Sequence, residues 1–200
     1  MAVAQGVRDS DGTMALPSIE TEVVLRARRG DQAAFAQIVS LYQRPIFNYV
    51  LRMIGDREVA EEVTQDVFLR VHQNLDRFSF RAKFTTWLFR IAKNRALDEL
   101  RSDPRRQLRT ELEEDTIAVD DAPVERSETI DAIWRAVEEL PPELKTALLL
   151  RDVAGFSYAE IMEIAEASLP TVKWRIFRAR EIVAQTVGER RSEPGLAEAV

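Results

Sequence analysis

The chain has 200 residues, no cysteine, 46% hydrophobic residues and a formal net charge of −6. The missing thiol excludes disulfides, thiolate metal sites and cysteine nucleophiles, and the apolar content is too high for general disorder. No run of 18 apolar residues occurs and no basic-then-apolar leader opens the chain, so a cytoplasmic protein without membrane insertion is expected.

Residues 1–18 are polar, end near Pro17 and read as a disordered arm. A helix is expected from Ser18 or Ile19 to Arg29, stopped at Gly30, with Asp31 capping the next. There Phe35, Ile38, Tyr42, Ile46 and Tyr49 form one stripe, and Pro45 predicts a kink. Gly55-Asp56 is the next stop and cap. Beyond it Val59, Val63, Val67 and Val71 recur every four residues, with the acids on other faces. The aromatic and basic stretch "NLDRFSFRAKFTT" (74–86) follows, and Thr85 or Thr86 is expected to cap a helix carrying Trp87, Leu88, Ile91, Ala92, Leu97 and Leu100.

Between 111 and 131 the chain holds nine acids and one base, Arg126, and few large apolar residues. This composition predicts a solvated linker. Four shorter helices are then expected: one with Ile130, Ile133, Trp134 and Val137, one after Pro141-Pro142, one over Tyr158–Ala165, and one from 169 to about 187. No run alternates as a strand would. The expected fold class is therefore all-α, with two small helical domains (19–103 and 128–187) joined by a flexible acidic linker (104–127), and a flexible tail at 188–200.

The last helix, "LPTVKWRIFRAR" (169–180), is basic within an acidic chain. With Val172 at zero on a helical wheel, Ile176, Ala179 and Val183 fall at about 40°, 340° and 20° and make a buried stripe. Lys173, Trp174, Phe177 and Arg178 fall at about 100°, 200°, 140° and 240°, on the opposite face, with Arg175 and Arg180 flanking the stripe. Exposed aromatics beside Lys and Arg suit a bound surface. Lys and Arg donate to guanine edges, apolar groups meet thymine methyls, and the flanking arginines suit phosphates. A solvated Arg-rich amphipathic helix is the alternative. The preceding helix and short turn, with Ser168 as a cap, have helix-turn-helix spacing. Glu166 stands at the turn position that usually needs glycine, so either the turn is longer or Glu166 takes a strained conformation.

Three stretches resemble the sigma-70 family of initiation factors, of the small two-domain extracytoplasmic-function type. "GDQAAFAQIVSLYQRPIFNYVLRMIGD" with "AEEVTQDVFLRVHQNLDRF" resembles regions 2.1 and 2.2. "FTTWLFRIAKNRALDELR" resembles 2.3 and 2.4. "LPPELKTALLLRDVAGFSYAEIMEIAEASLPTVKWRIFRARE" resembles region 4. Against the family's "LGIPVGTVKSR" the chain has "AEASLPTVKWR", so Glu166 and Pro170 replace Gly and Trp174 replaces Ser. The resemblance implies a factor that binds core RNA polymerase, reads the duplex −35 element with the second domain, and recognises and melts the −10 element with the first, capturing single-stranded DNA. It implies no cofactor, no catalysis, a monomer when free, and an anti-sigma factor that clamps both domains.

The resemblance places −35 contacts on Thr171, Lys173, Trp174, Arg175, Phe177, Arg178 and Arg180. It places −10 contacts on Phe78, Phe80, Arg81, Lys83, Arg90, Lys93, Asn94 and Arg95, where an aromatic-basic loop suits unstacked bases and phosphates. Asp98 is expected to pair with Arg101 or Arg95. Docking to a basic coiled coil of the polymerase falls to Glu61, Glu62, Gln65, Asp66 and Leu69, whose acids suit that partner. In the family the linker threads the polymerase's RNA channel; here it is read equally as a nucleic-acid mimic or as a plain tether. The single His72 has no partner at metal-binding spacing, which argues against a metalloenzyme. The competing readings are a conventional helix-turn-helix regulator with an N-terminal dimerisation or sensor domain, and a helical interaction protein.

Overall fold

The computed structural model describes residues 16–102 and 128–192. The linker expected at 104–127, most of the arm expected at 1–18, and the end of the tail lie outside the described residues. Eight α-helices, and no strand, occur among the described residues.

The first module begins with an extended segment, not a helix. Residues 16–20 lead into α1 (Thr21–Arg28), later than the expected start at 18 or 19. The cause is packing: Leu16 and Ile19 lie against the core, and the Tyr42 hydroxyl donates to the Pro17 carbonyl at 2.9 Å. The end of the expected arm is thus fastened to α2. Burial of Tyr42 pushes its phenol up to about 12.

Helix α2 (Gln32–Ile54) starts where Asp31 accepts from the Ala34 N–H at 3.1 Å. That bond, with the Arg26 guanidinium, holds the Asp31 carboxyl below its ordinary value. Pro45 does not end the helix. Ile38, Tyr42, Ile46, Tyr49 and Val50 are buried on either side of it, and at roughly 1.5–3 kcal/mol per buried side chain this packing outweighs the proline penalty of about 3 kcal/mol. Gly55 at φ 82 closes the helix, its N–H donating to the Leu51 carbonyl at 2.8 Å. A β-carbon would be strained in that left-handed conformation. Asp56 then caps α3 (Arg57–Asn74) through the Val59 N–H at 3.0 Å. Val59, Val63, Val67 and Val71 are all buried, as a period near four demands.

Helix α4 (Phe84–Ser102) begins at Phe84, upstream of the expected caps at Thr85 or Thr86. Thr86 is buried and its hydroxyl has no hydrogen-bond partner among the described residues. It serves the core, where Phe78, Phe84 and Trp87 pack as a cluster.

The second module holds α5 (Glu128–Glu138), α6 (Pro142–Leu148) with a π turn at Leu149–Val153, α7 (Tyr158–Ala165) and α8 (Leu169–Ser192). Pro142 opens α6, where its missing N–H costs nothing. Ser157 and Glu160 form a capping box at the start of α7. Helix α8 passes through Gly188 to Ser192, so the tail expected at 188–200 starts later. One interior glycine costs only about 1 kcal/mol.

The two modules pack on each other. The Phe89 ring of α4 meets the Phe156 ring edge-on at 4.9 Å. Arg52 at the end of α2 lies 3.7 Å over the Trp134 ring of α5, and the Thr146 hydroxyl approaches the Met53 sulfur at 3.6 Å.

Candidate nucleic-acid interface

Helix α8 has the two faces its sequence demands. Val172, Ile176 and Ala179 are buried, and Val183 is half-buried. On the opposite side Trp174 is 60% and Phe177 67% exposed, beside exposed Lys173 and Arg178. Thr171 and Arg175 are half-buried at the edge. The cap is Ser168, whose hydroxyl accepts from the Thr171 N–H at 3.4 Å and shares a 2.8 Å hydrogen bond with the Thr171 hydroxyl. Arg178 pairs with Glu181 along the helix. Arg180 is turned back to Asp152, with Nε donating to Oδ2 at 2.9 Å, and that carboxylate raises the Arg180 pKa.

The turn before α8 takes the strained alternative. Glu166 sits at φ 52, ψ 45 and its N–H donates to the Met162 carbonyl. A left-handed conformation costs a residue with a β-carbon roughly 1–2 kcal/mol.

A second surface combines the loop before α4 with α4 itself. Phe78 is only 4% exposed, with its ring 4.6 Å from that of Phe80 and 5.2 Å from that of Trp87. In this conformation it is a floor beneath Phe80, which is partly exposed at φ 59. Arg81 and Asn94 are exposed and Arg90 is half-exposed. Three of the expected DNA contacts are already engaged. Lys83 pairs with Glu160 of α7 at 2.9 Å. Lys93 is 6% exposed and lies 3.7 Å from the Glu166 carboxylate; desolvation lowers its pKa, against the opposing pull of Glu166. Arg95 Nε donates to Asp66 Oδ2 of α3 at 2.5 Å, and its other nitrogens donate to Glu99 at 3.0 Å. Asp98 pairs with Arg101 at 3.7 Å, and not with Arg95. An open cleft of about 1000 Å³ lies between this loop and the second module beside the Lys83–Glu160 pair, lined by Phe80, Lys83, Phe84, Arg151, Asp152 and Arg180.

The third surface is the outer face of α3. Glu62 and Gln65 are exposed, and Leu69 is exposed despite its apolar side chain. Glu61 is exposed and pairs with Arg57 at 3.3 Å. Asp66 differs from these: it is half-buried between Arg70 and Arg95. His72 packs edge-on against Phe35 at 4.9 Å. Among the described residues no group of His, Asp and Glu is placed to hold a metal ion, and no helix is long and apolar enough to cross a membrane.

The carboxylates that engage the basic surfaces, Asp152, Glu160 and Glu166, were not singled out as partners by spacing. Each lies far along the chain from the base it meets. Only the acid at the glycine position of the turn gave a signal.

The chain matches the family model "Sigma-70 region 2" over residues 38–106 and "Sigma-70, region 4" over residues 130–183. It is 34% identical over 176 residues to RNA polymerase sigma-H factor of Pseudomonas aeruginosa, covering 82% of this chain and 91% of that protein. It is 34% identical over 171 residues to the ECF RNA polymerase sigma factor SigW of Bacillus subtilis, covering 79% of this chain and 91% of that protein. In fold it is similar to CnrH in its complex with the cytosolic domain of CnrY, with a TM-score of 0.65 at 21% identity, covering 84% of this chain and 96% of that one.

Proposed function

The chain belongs to the sigma-70 family, in its extracytoplasmic-function class, and from that premise we propose how its surfaces divide the work of starting transcription. It is a transcription initiation factor that directs RNA polymerase to promoters, and not an enzyme. Its partners are core polymerase, promoter DNA and an anti-sigma factor, and it works in the cytoplasm, where polymerase is.

The exposed face of α8 reads the −35 duplex. Lys173 and Arg178 suit guanine edges, and Trp174 and Phe177 suit thymine methyls. Thr171 and Arg175 sit at the rim, where phosphate contact fixes register; Arg180 joins them once released from Asp152. The loop at 80–83, with Arg90, Lys93 and Asn94, receives the melted −10 strand. Phe80 stacks on a base over the Phe78 floor, and the cations meet phosphates. Phe78 and Arg95 act by support: one holds the aromatic loop, the other ties α4 to α3. Glu61, Glu62, Gln65 and Leu69 face the polymerase, with Asp66 at the edge.

The observation that carries this reading is the exposure of Trp174 and Phe177 on a helix whose other face is buried at Val172, Ile176 and Ala179. Two large aromatics in water on a reading helix have a reason to be there only if something covers them. The test is gel filtration with purified core polymerase, followed by DNA binding. The chain is expected to co-migrate with core at one-to-one stoichiometry and to bind duplex promoter DNA tightly only in that complex. Tight duplex binding by a dimer without polymerase would favour a conventional regulator instead.

A further inference from the structure

The extended segment ahead of α1 is tied down along its length. Leu16 and Ile19 pack on the core, and between them the Pro17 carbonyl accepts from the buried Tyr42 hydroxyl at 2.9 Å. Segments near a chain end are poorly ordered unless something fastens them. This one lies ahead of residues 38–106, which carry the likeness to region 2. It lines the same cleft as the aromatic loop: Leu16, Pro17, Ser18 and Thr21 come from the segment, Phe80 and Lys83 from the loop. We infer that residues 16–21 are a wall of the −10 site: a base turned out of the strand stacks on Phe80, and the Ser18 and Thr21 hydroxyls read its edge.

Stacking alone does not choose a base, because every base has an aromatic face. Selectivity needs a polar group that meets the base edge. Phe80 supplies the platform. Its ring is backed by that of Phe78 at 4.6 Å, and it is partly exposed into the cleft. It also holds φ 59, a left-handed conformation that is strained for any residue with a β-carbon, and such strain collects at ligand sites. Arg81 and Lys83 beside it suit phosphates. The loop thus offers stacking and charge but no neutral group for an edge. Ser18 and Thr21 are exposed on the cleft, and each hydroxyl both donates and accepts. All these residues belong to the first module.

Tyr42 is the positioning residue of this arrangement. Its hydroxyl fixes Pro17, and its ring packs on Phe84 at 5.8 Å, Phe84 on Phe78 at 5.6 Å, and Phe78 on Phe80. One run of packed rings therefore joins the segment to the stacking platform. The distance between wall and platform is set by Tyr42 without its touching the strand.

This inference rests on the assignment of the aromatic loop to the −10 strand, and the experiment separates the two claims. The full chain is bound to core polymerase and offered forked DNA, built on a start site that it directs, with the single-stranded −10 segment randomised. Bound strands are sequenced. S18A/T21A changes two exposed side chains, and Tyr42→Phe keeps the buried ring and removes only its hydroxyl; circular dichroism checks both folds. Each variant is expected to lose the base preference at one same −10 position by roughly fivefold, the effect of one neutral hydrogen bond, with the other positions unchanged. Preferences unchanged in either variant, or a general loss of affinity with every preference kept, overturn the wall and leave the −10 reading standing. A parent with no base preference in the single strand, or one whose preferences survive Phe80→Ala, overturns the −10 reading and this inference with it.

Discussion

Arg95 of α4 and Asp66 of α3 are joined at 2.5 Å, with Glu99 on the other side of the same guanidinium. Sequence reasoning placed them on different surfaces, Arg95 toward DNA and Asp66 toward polymerase. The structure makes them one unit, half-buried between two helices.

That unit is expected to contribute to stability before it contributes to binding. Arg95→Ala should lower the urea-unfolding free energy by about 1–2 kcal/mol, because it takes a charged hydrogen-bond partner from each of two partly buried carboxylates. The Arg95–Asp66 coupling in a double-mutant cycle should be about 1 kcal/mol, above the median for exposed pairs. A coupling of zero would return both residues to the binding surfaces.

Polymerase docking is better tested at Glu62 and Leu69, which are exposed. Glu62→Lys with Leu69→Ala should weaken affinity for core polymerase at least tenfold, about 1.4 kcal/mol, and leave circular dichroism unchanged. Undiminished affinity in a well-folded variant would remove this face from the interface.

The −35 face should separate binding from folding. Trp174→Ala and Phe177→Ala are expected to change stability by less than about 0.5 kcal/mol, as exposed positions do, while reducing −35-dependent transcription by more than tenfold. Ile176→Ala, between them in sequence but buried, should instead cost about 2–4 kcal/mol of folding. The opposite pattern would mean that the outer aromatics are structural.

Much of this was legible in the sequence because it is local. The stop at Gly55, the caps Asp31, Asp56 and Ser168, and the two faces of α8 follow from residues within one or two turns, and the structure has them all. The left-handed turn at Glu166 was visible as an acid where glycine is usual. What the sequence hid depends on distance. The Tyr42–Pro17 hydrogen bond that replaces the first turn of α1 spans 25 residues. The Arg180–Asp152 and Arg95–Asp66 pairs cross between elements. A wheel shows which face a residue occupies but not what another helix brings to it. Phe78 shows the same limit: an aromatic loop residue reads as exposed until Phe84 and Trp87 are seen to enclose it.

Lys145 gives a pH-dependent signature. It is buried and donates to the Glu138 carbonyl at 2.6 Å; desolvation lowers its pKa to about 8, against the pull of the nearby Glu138 carboxylate. Because folding lowers this pKa, the folded chain holds fewer protons than the unfolded chain between pH about 8 and the ordinary lysine value. Stability therefore rises with pH across that window and is reduced below it. Lys145→Met should remove this pH dependence, so the stability difference between the two proteins should move in favour of the parent by on the order of 2 kcal/mol between pH 7 and pH 10. Guanidinium unfolding of both proteins at several pH values checks it; a constant difference would contradict the shift.

The account's central claim is that two surfaces on one chain, α8 and the loop with α4, direct one polymerase to two promoter boxes. The most direct measurement is sequencing of RNA 5′ ends made in vitro by core polymerase on genomic DNA, with and without the chain. The account predicts new start sites that appear only with the chain, share two sequence boxes at fixed spacing, and are lost with Trp174→Ala. Start sites that are unchanged by the chain, or new ones that share a single box indifferent to Trp174, would contradict it.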